Sequence, residues 1–132
     1  MQGTKVFVPY IASMLYKQIV GKFGEGLIKN YLIKHGYDII AMNVEISYLE
    51  IDIIARLKEL IVFIEVKARV SVNLGSADEA ITPAKLNNFK KAIELFIHTK
   101  KIDPENTRAD FIALDIDKTQ KTAKIKHYKD VL

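Results

Sequence analysis

Between positions 20 and 32 the apolar residues Val20, Phe23, Leu27, Tyr31 and Leu32 recur at three- and four-residue steps, and Gly36 follows as a stop. The spacing predicts an amphipathic helix over 21–36, with residues 10–19 either extending it or forming a separate helical turn. The pattern then tightens. Segments 37–47, 49–56 and 60–69 are short and rich in Ile, Val and Phe, as strands are. The link 57–59 is short and polar, so the last two of these should form an antiparallel hairpin. Residues 71–80 are mixed, with Gly75 as a turn and Ser76 and Glu79 at capping-box spacing. Thr82 then stands directly before Pro83, a cap residue followed by a residue suited to the first helical position. That start predicts a second helix to about 101, with Leu86, Phe89, Ile93, Phe96 and Ile97 as its buried stripe. Asp103-Pro104-Glu105-Asn106 breaks it, and strands are expected over 109–117 and 123–128.

The predicted order is helix, three strands, helix, two strands: an α/β chain with one mixed central sheet flanked by helices. The third strand, second helix and fourth strand form a parallel crossover, expected to be right-handed. No repeat, low-complexity tract or linker divides the chain. At 132 residues it is expected to be one domain, 1–132, with 1–17 an extension of uncertain structure.

Composition narrows the chemistry. The chain has no cysteine, which excludes disulfides, thiolate metal sites and a thiol nucleophile. His35, His98 and His127 show no ligand-like spacing, which argues against a zinc hydrolase. Val6-Phe7-Val8 and Ile11-Ala12 have some leader character, but Pro9, Tyr10 and Lys17 interrupt it. No run approaches the roughly 18–20 apolar residues that cross a bilayer. The expectation is a cytoplasmic protein without membrane contact. The net charge of +4 resides wholly in residues 84–132, with eleven basic and seven acidic side chains. A basic half suits a phosphate backbone, although solvated lysines at helix ends look the same.

The most informative stretch is Glu65-Val66-Lys67, at the end of the apolar run 60–64. Strand alternation puts Glu65 and Lys67 on one side, about 6–7 Å apart. Counted outward from the 57–59 link, Asp52 and Glu65 lie at similar distances from the turn and can face each other. Two facing carboxylates repel unless a cation lies between them. With a lysine beside them they suit Mg²⁺ or Mn²⁺ next to a phosphate. Glu25, at the border of the first helix's apolar stripe, could reach the same place. An ion pair between Lys67 and Asp52 or Glu65, without metal, fits the spacing equally well.

Gly21-x-x-Gly24-Glu25, Tyr31-Leu32, Gly36-Tyr37, Asn43, Glu50-Ile51-Asp52-Ile53-Ile54-Ala55 and Phe63-Ile64-Glu65-Val66-Lys67-Ala68-Arg69 together resemble the YraN-like family. That family is similar to Holliday-junction resolvases and falls in the PD-(D/E)xK restriction-endonuclease-like superfamily. Gly75, Ala80-Ile81, Lys85 and the Arg108-x-Asp110 pair also match, so the resemblance covers about 18–117. It implies a restriction-endonuclease-like core in the order α-β-β-β-α-β, plus a C-terminal strand. It implies catalytic Asp52, Glu65 and Lys67, with Glu25 as an additional acid from the first helix. Asp52, Glu65 and the Val66 carbonyl would hold Mg²⁺ or Mn²⁺, and Lys67 would orient the attacking water. Glu50 would be a supporting acid behind the ligands or an exposed charge. Arg69 and Lys85 would meet phosphate or structural acids, and Lys90 and Lys91 extend the basic surface. Leu49 departs from the family's glycine and Ile28 from its small residue, but no acid and no lysine is lost.

The expected function is a metal-dependent endonuclease cutting DNA phosphodiester bonds, at branched or damaged structures. Resolvase relatives act as homodimers because a four-way junction presents two symmetric scissile sites. The alternative is a non-catalytic nucleic-acid-binding module that retains the fold and the metal site.

Overall fold

The computed structural model describes residues 3–14, 19–70 and 82–132. The 71–80 loop, with Gly75, Ser76 and Glu79, and the Val20 side chain lie outside the described residues. The elements are β1 (Thr4–Phe7), α1 (Gly24–Lys34), β2 (Asp38–Ile46), β3 (Leu49–Leu57), β4 (Leu60–Val70), α2 (Pro83–Lys100), β5 (Thr107–Asp117) and β6 (Thr122–Tyr128). The strands form one sheet in the order β1-β6-β5-β4-β3-β2. β4 and β5 are parallel, joined across α2, and every other pairing is antiparallel. The chain is therefore α/β with a mixed sheet and two helices. No helix among the described residues is long and apolar enough to cross a membrane.

The unbroken apolar run in β4 follows from its central place in the sheet. Val62 and Ile64 are buried in the cluster that takes in Ile28 and Leu32 of α1, while Phe63 is buried against Phe89, Ala92 and Ile93 of α2. A strand covered on both faces has no polar side to show. Helix ends follow their local chemistry. The Thr82 hydroxyl accepts from the Lys85 N–H at 3.2 Å, with Pro83 in the first turn. Gly36, at φ +88°, closes α1, and the Tyr37 N–H reaches back to the Leu32 carbonyl at 3.0 Å.

Two expectations at the N-terminal side are corrected. The first helix does not begin at 21: Ile19–Phe23 is a wide helical turn interrupted at Gly21 (φ −95°, ψ −123°), and regular helix starts at Gly24. Residues 4–7, expected to belong to an extension of uncertain structure, are a sixth strand at the edge of the sheet, paired with β6. Gly3 allows that approach, since a Cβ there would sit 2.7 Å from the Ile125 carbonyl oxygen. Beyond the strand, Val8 and Ile11 are buried in the α1-side core. Four residues, two polar followed by two apolar, are too short a signal to separate from a loop.

The β2–β3 hairpin changes the face it buries halfway along. Leu49 and Ile51 pack on the α2 side, whereas Ile53, Ala55 and Leu57 pack on the α1 side. On β2 the switch falls between Met42 and Val44. Both changes centre on Asn43 and Asp52, which lie between the paired positions Met42↔Ile53 and Val44↔Ile51. Asn43 has φ 52°, a left-handed conformation that asparagine tolerates better than most residues.

At the opposite end of the sheet a polar cluster is sealed under α1. Asp110, fully buried, accepts from Arg108 Nε (2.8 Å) and Nη2 (2.7 Å), from His127 Nε2 (2.7 Å) and from the Asp130 N–H (3.1 Å). The Arg108 guanidinium also donates to the Tyr37 hydroxyl at 2.8 Å, and Tyr31 Oη meets His127 Nδ1 at 3.0 Å. Burial by itself would raise the Asp110 carboxyl. The hydrogen bonds from His127, Arg108 and Asp130 outweigh it and hold the group below the usual carboxylate value. A carboxylate so depressed adds stability above about pH 3.9, its unfolded value, and loses it as pH falls through the lower folded one. Asp110→Ala strands a partly buried guanidinium, and its expected cost is about 3–5 kcal/mol in urea unfolding at pH 7. The variant should also lose part of the wild-type acid sensitivity below about pH 4. A cost under ~1 kcal/mol would show the cluster to be dispensable.

Candidate active site

The site begins where β3 parts from β4. Their pairing runs from Leu57↔Leu60 to Ile53↔Ile64 and goes no further. An edge N–H left without a ladder partner must find another acceptor. Here Asp52 supplies it: its Oδ2 accepts from the Val66 N–H at 2.8 Å. A charged acceptor makes this bond worth about 1.5–3 kcal/mol. The face switch at Asp52 therefore turns a strand residue into a bracket across the opening between two strands.

The opening is a cleft of about 320 Å³ lined by Glu25, Asn43, Asp52, Val66, Lys67 and the apolar Ile28 and Met42, among others. Glu25, in the first turn of α1, accepts from Asn43 Nδ2 at 3.0 Å. The left-handed backbone at Asn43 thus fixes the acid of a helix beside the acid of a strand. The sequence marks Asn43 only as part of the family resemblance, and the one local signal of its hold on Glu25 is an asparagine inside a strand pattern.

Glu65 lines a neighbouring hollow of about 260 Å³ with Tyr48, Glu50, Lys85 and Asn88. It shares a hydrogen bond with Asp52, so the acid pair joins the two cavities. Glu65 is pushed up to about 8, first by burial, then by the Asp52 charge and that shared hydrogen bond. Lys85 pulls it down, less strongly, and Glu50 adds to the rise. Glu50 is itself raised, by burial and then by Asp52. Raised this far, Glu65 keeps its proton at neutral pH.

The sequence thus placed Asp52 against Glu65 and both near Lys67 and Glu25. Strand alternation keeps Glu65 and Lys67 on one face of β4, because Val66 and Ala68 pack on the α1 side. Lys67 also borders the cleft of Glu25, and Glu65 the neighbouring hollow. Among the described residues no ion pair joins Lys67 to Asp52 or Glu65. Glu50 stands with Glu65, and Lys85 faces the same acids from α2. Lys91 lines a third hollow beside Tyr48. Lys90 does not join them, for it borders a separate hollow with Arg108 and Asp130. Arg69 is level with Asp115 on β5, two positions beyond Lys67 on β4.

A pair of touching carboxylates that retains a proton at neutral pH is a donor set suited to a hard cation, which would replace the proton. Among the described residues no group of three or more acids and histidines is arranged to hold a metal. The set expected from the sequence, two carboxylates and the Val66 carbonyl, is smaller than that. Because Glu65 is raised on folding, its contribution to stability is complete below about pH 4.3 and is lost as pH rises through about 8. Glu65→Gln should flatten this decline, melting above wild type at pH 8.5 and close to it at pH 4. An unchanged slope in metal-free thermal unfolding would rule out the retained proton.

Comparison with known proteins accounts for most of this chain. The family described as "Uncharacterised protein family UPF0102" matches residues 24–114. A UPF0102 protein of Flavobacterium psychrophilum is 39% identical over 111 residues, covering 84% of this chain and 91% of its own length. One from Caldicellulosiruptor bescii is 41% identical over 113 residues, covering 84% and 94%. One from Carboxydothermus hydrogenoformans is 36% identical over 115 residues, covering 86% and 94%. The matched span holds α1, the kinked hairpin, the acid pair and the Arg108–Asp110 pair, and the chain belongs to the UPF0102, YraN-like, family.

Proposed function

We propose that this protein is a metal-dependent endonuclease that hydrolyses DNA phosphodiester bonds, with a restriction-endonuclease-like core. The observation that carries this reading is the Asp52–Glu65 pair at the parting of β3 and β4, with Lys67 and Glu25 in the cleft beside it. Asp52, Glu65 and the Val66 carbonyl would hold Mg²⁺ or Mn²⁺, which supplies charge neutralisation at the scissile phosphate and a more acidic bound water. The chain's own residues do the rest. The Val66 N–H fixes one oxygen of Asp52, so that carboxylate needs no reorganisation when a phosphate arrives. Asn43 fixes Glu25 at the cleft wall. Lys67 borders the cleft and makes no ion pair with the acids among the described residues; its ammonium orients the water and opposes the negative charge growing on the phosphate. Lys85 and Lys91 offer phosphate contacts along α2.

Branched or damaged DNA is the proposed substrate class, and a homodimer would present two such sites to a four-way junction. The second reading is a nucleic-acid-binding module that does not cut. It is favoured by the acid pair's ability to settle its charge with a proton in place of a metal. A panel of linear, flapped, single-stranded and four-way-junction DNAs, incubated with Mn²⁺, separates the two. Wild type is expected to cut at least one, and Asp52→Asn and Lys67→Ala to lose about 10²-fold or more in rate while still binding. Binding without cleavage of any substrate would favour the module.

A further inference from the structure

Tyr48 is the most exposed large hydrophobic side chain among the described residues, at 80%. It stands at the tip of the β2–β3 hairpin, the hairpin that also carries Asp52. The turn is two residues, Ser47 and Tyr48, between the paired Ile46 and Leu49, and Ser47 is held at φ 57°. So tight a turn leaves the backbone under the ring little freedom, and a rigid ring loses little entropy on contact.

The ring borders two hollows. On one side lie Glu50, Glu65, Lys85 and Asn88. On the other, a hollow of about 340 Å³ is lined by Leu49, Lys91, Leu95 and His98, with Glu94 also at its wall. Leu95 is itself 42% exposed, so the second hollow has an apolar wall with a lysine at its rim. An apolar surface beside a cation, one wall away from acids that would meet a phosphate only through a bound metal ion, has the character of a seat for a nucleobase. A base inside a duplex is stacked on both faces and cannot offer one to a protein ring. An unpaired base can.

We infer that Tyr48 stacks on an unpaired base adjoining the scissile phosphate, with Lys91 on the neighbouring backbone phosphate, so that the site selects nucleic acid with a single-stranded element. This rests on the nuclease reading above and names its substrate class. Lys91 acts in any sequence context, whereas Tyr48 supplies the discrimination between unpaired and paired strands.

The test measures binding of a labelled single strand, a flapped duplex and a blunt duplex in EDTA, by fluorescence anisotropy. Tyr48→Ala should weaken the single strand and the flap by roughly tenfold or more, leaving the blunt duplex unchanged. Tyr48→Trp should retain the wild-type order. Neither change should move the thermal midpoint, because the side chain lies outside the core. Equal loss on all three DNAs, or no loss on any, overturns the inference; a protein partner seated on Tyr48 would give the second result. Wild-type binding or cleavage that ignores Tyr48→Ala sinks this inference alone. A wild type that neither binds nor cuts any of the three sinks the nuclease reading with it.

Discussion

The 2.8 Å hydrogen bond from the Val66 N–H to Asp52 is the contact on which the rest of the site turns. A sheet that continued past Ile53↔Ile64 would have used that N–H in its ladder and left no cleft. A sheet that ended there without a substitute acceptor would have carried an unsatisfied donor at the edge of its core. The side chain of Asp52 resolves this by doing the ladder's work from one residue further back. Its cost is a carboxylate held next to Glu65, whose ionisation is then suppressed to about 8. Stability at neutral pH is surrendered in order to keep two acids in contact, which is what a functional site looks like when viewed as a folding problem.

The two ends of the sheet treat buried acids in opposite ways. Asp110 is surrounded by donors from three parts of the chain: Arg108 on β5, His127 on β6 and the Asp130 backbone. Its charge is satisfied and its pKa falls. Glu65 meets another carboxylate and its pKa rises. One acid is thereby locked into the architecture and the other left dependent on whatever else arrives. The sequence motif containing Arg108 and Asp110 therefore reports on structure, and the one containing Glu65 and Lys67 on chemistry.

Much of the fold was legible from local patterns. The boundaries of β3, β4, β5 and β6 follow their apolar runs to within two residues, the Thr82-Pro83 start and Gly36 stop are where their chemistry requires, and the parallel crossover is present. The N-terminal strand was not legible, because four residues behind Gly3 gain their meaning only from the edge that β6 offers them. Asn43 was not legible as a positioning residue either, since its left-handed backbone is stabilised by contacts remote in sequence.

The amino-acid sequence by itself determined the elements, the pairing of Asp52 with Glu65 and the set of acids and lysines near them, because hydrophobic period and turn chemistry are local properties. Only the tertiary structure decided that the hairpin reverses its buried face at Asn43 and Asp52. That reversal turns Asp52 toward the Val66 N–H and opens the cleft where β3 and β4 part. It depends on where neighbouring strands stop pairing, a balance of hydrogen bonds and packing across the whole sheet that no window along the chain contains.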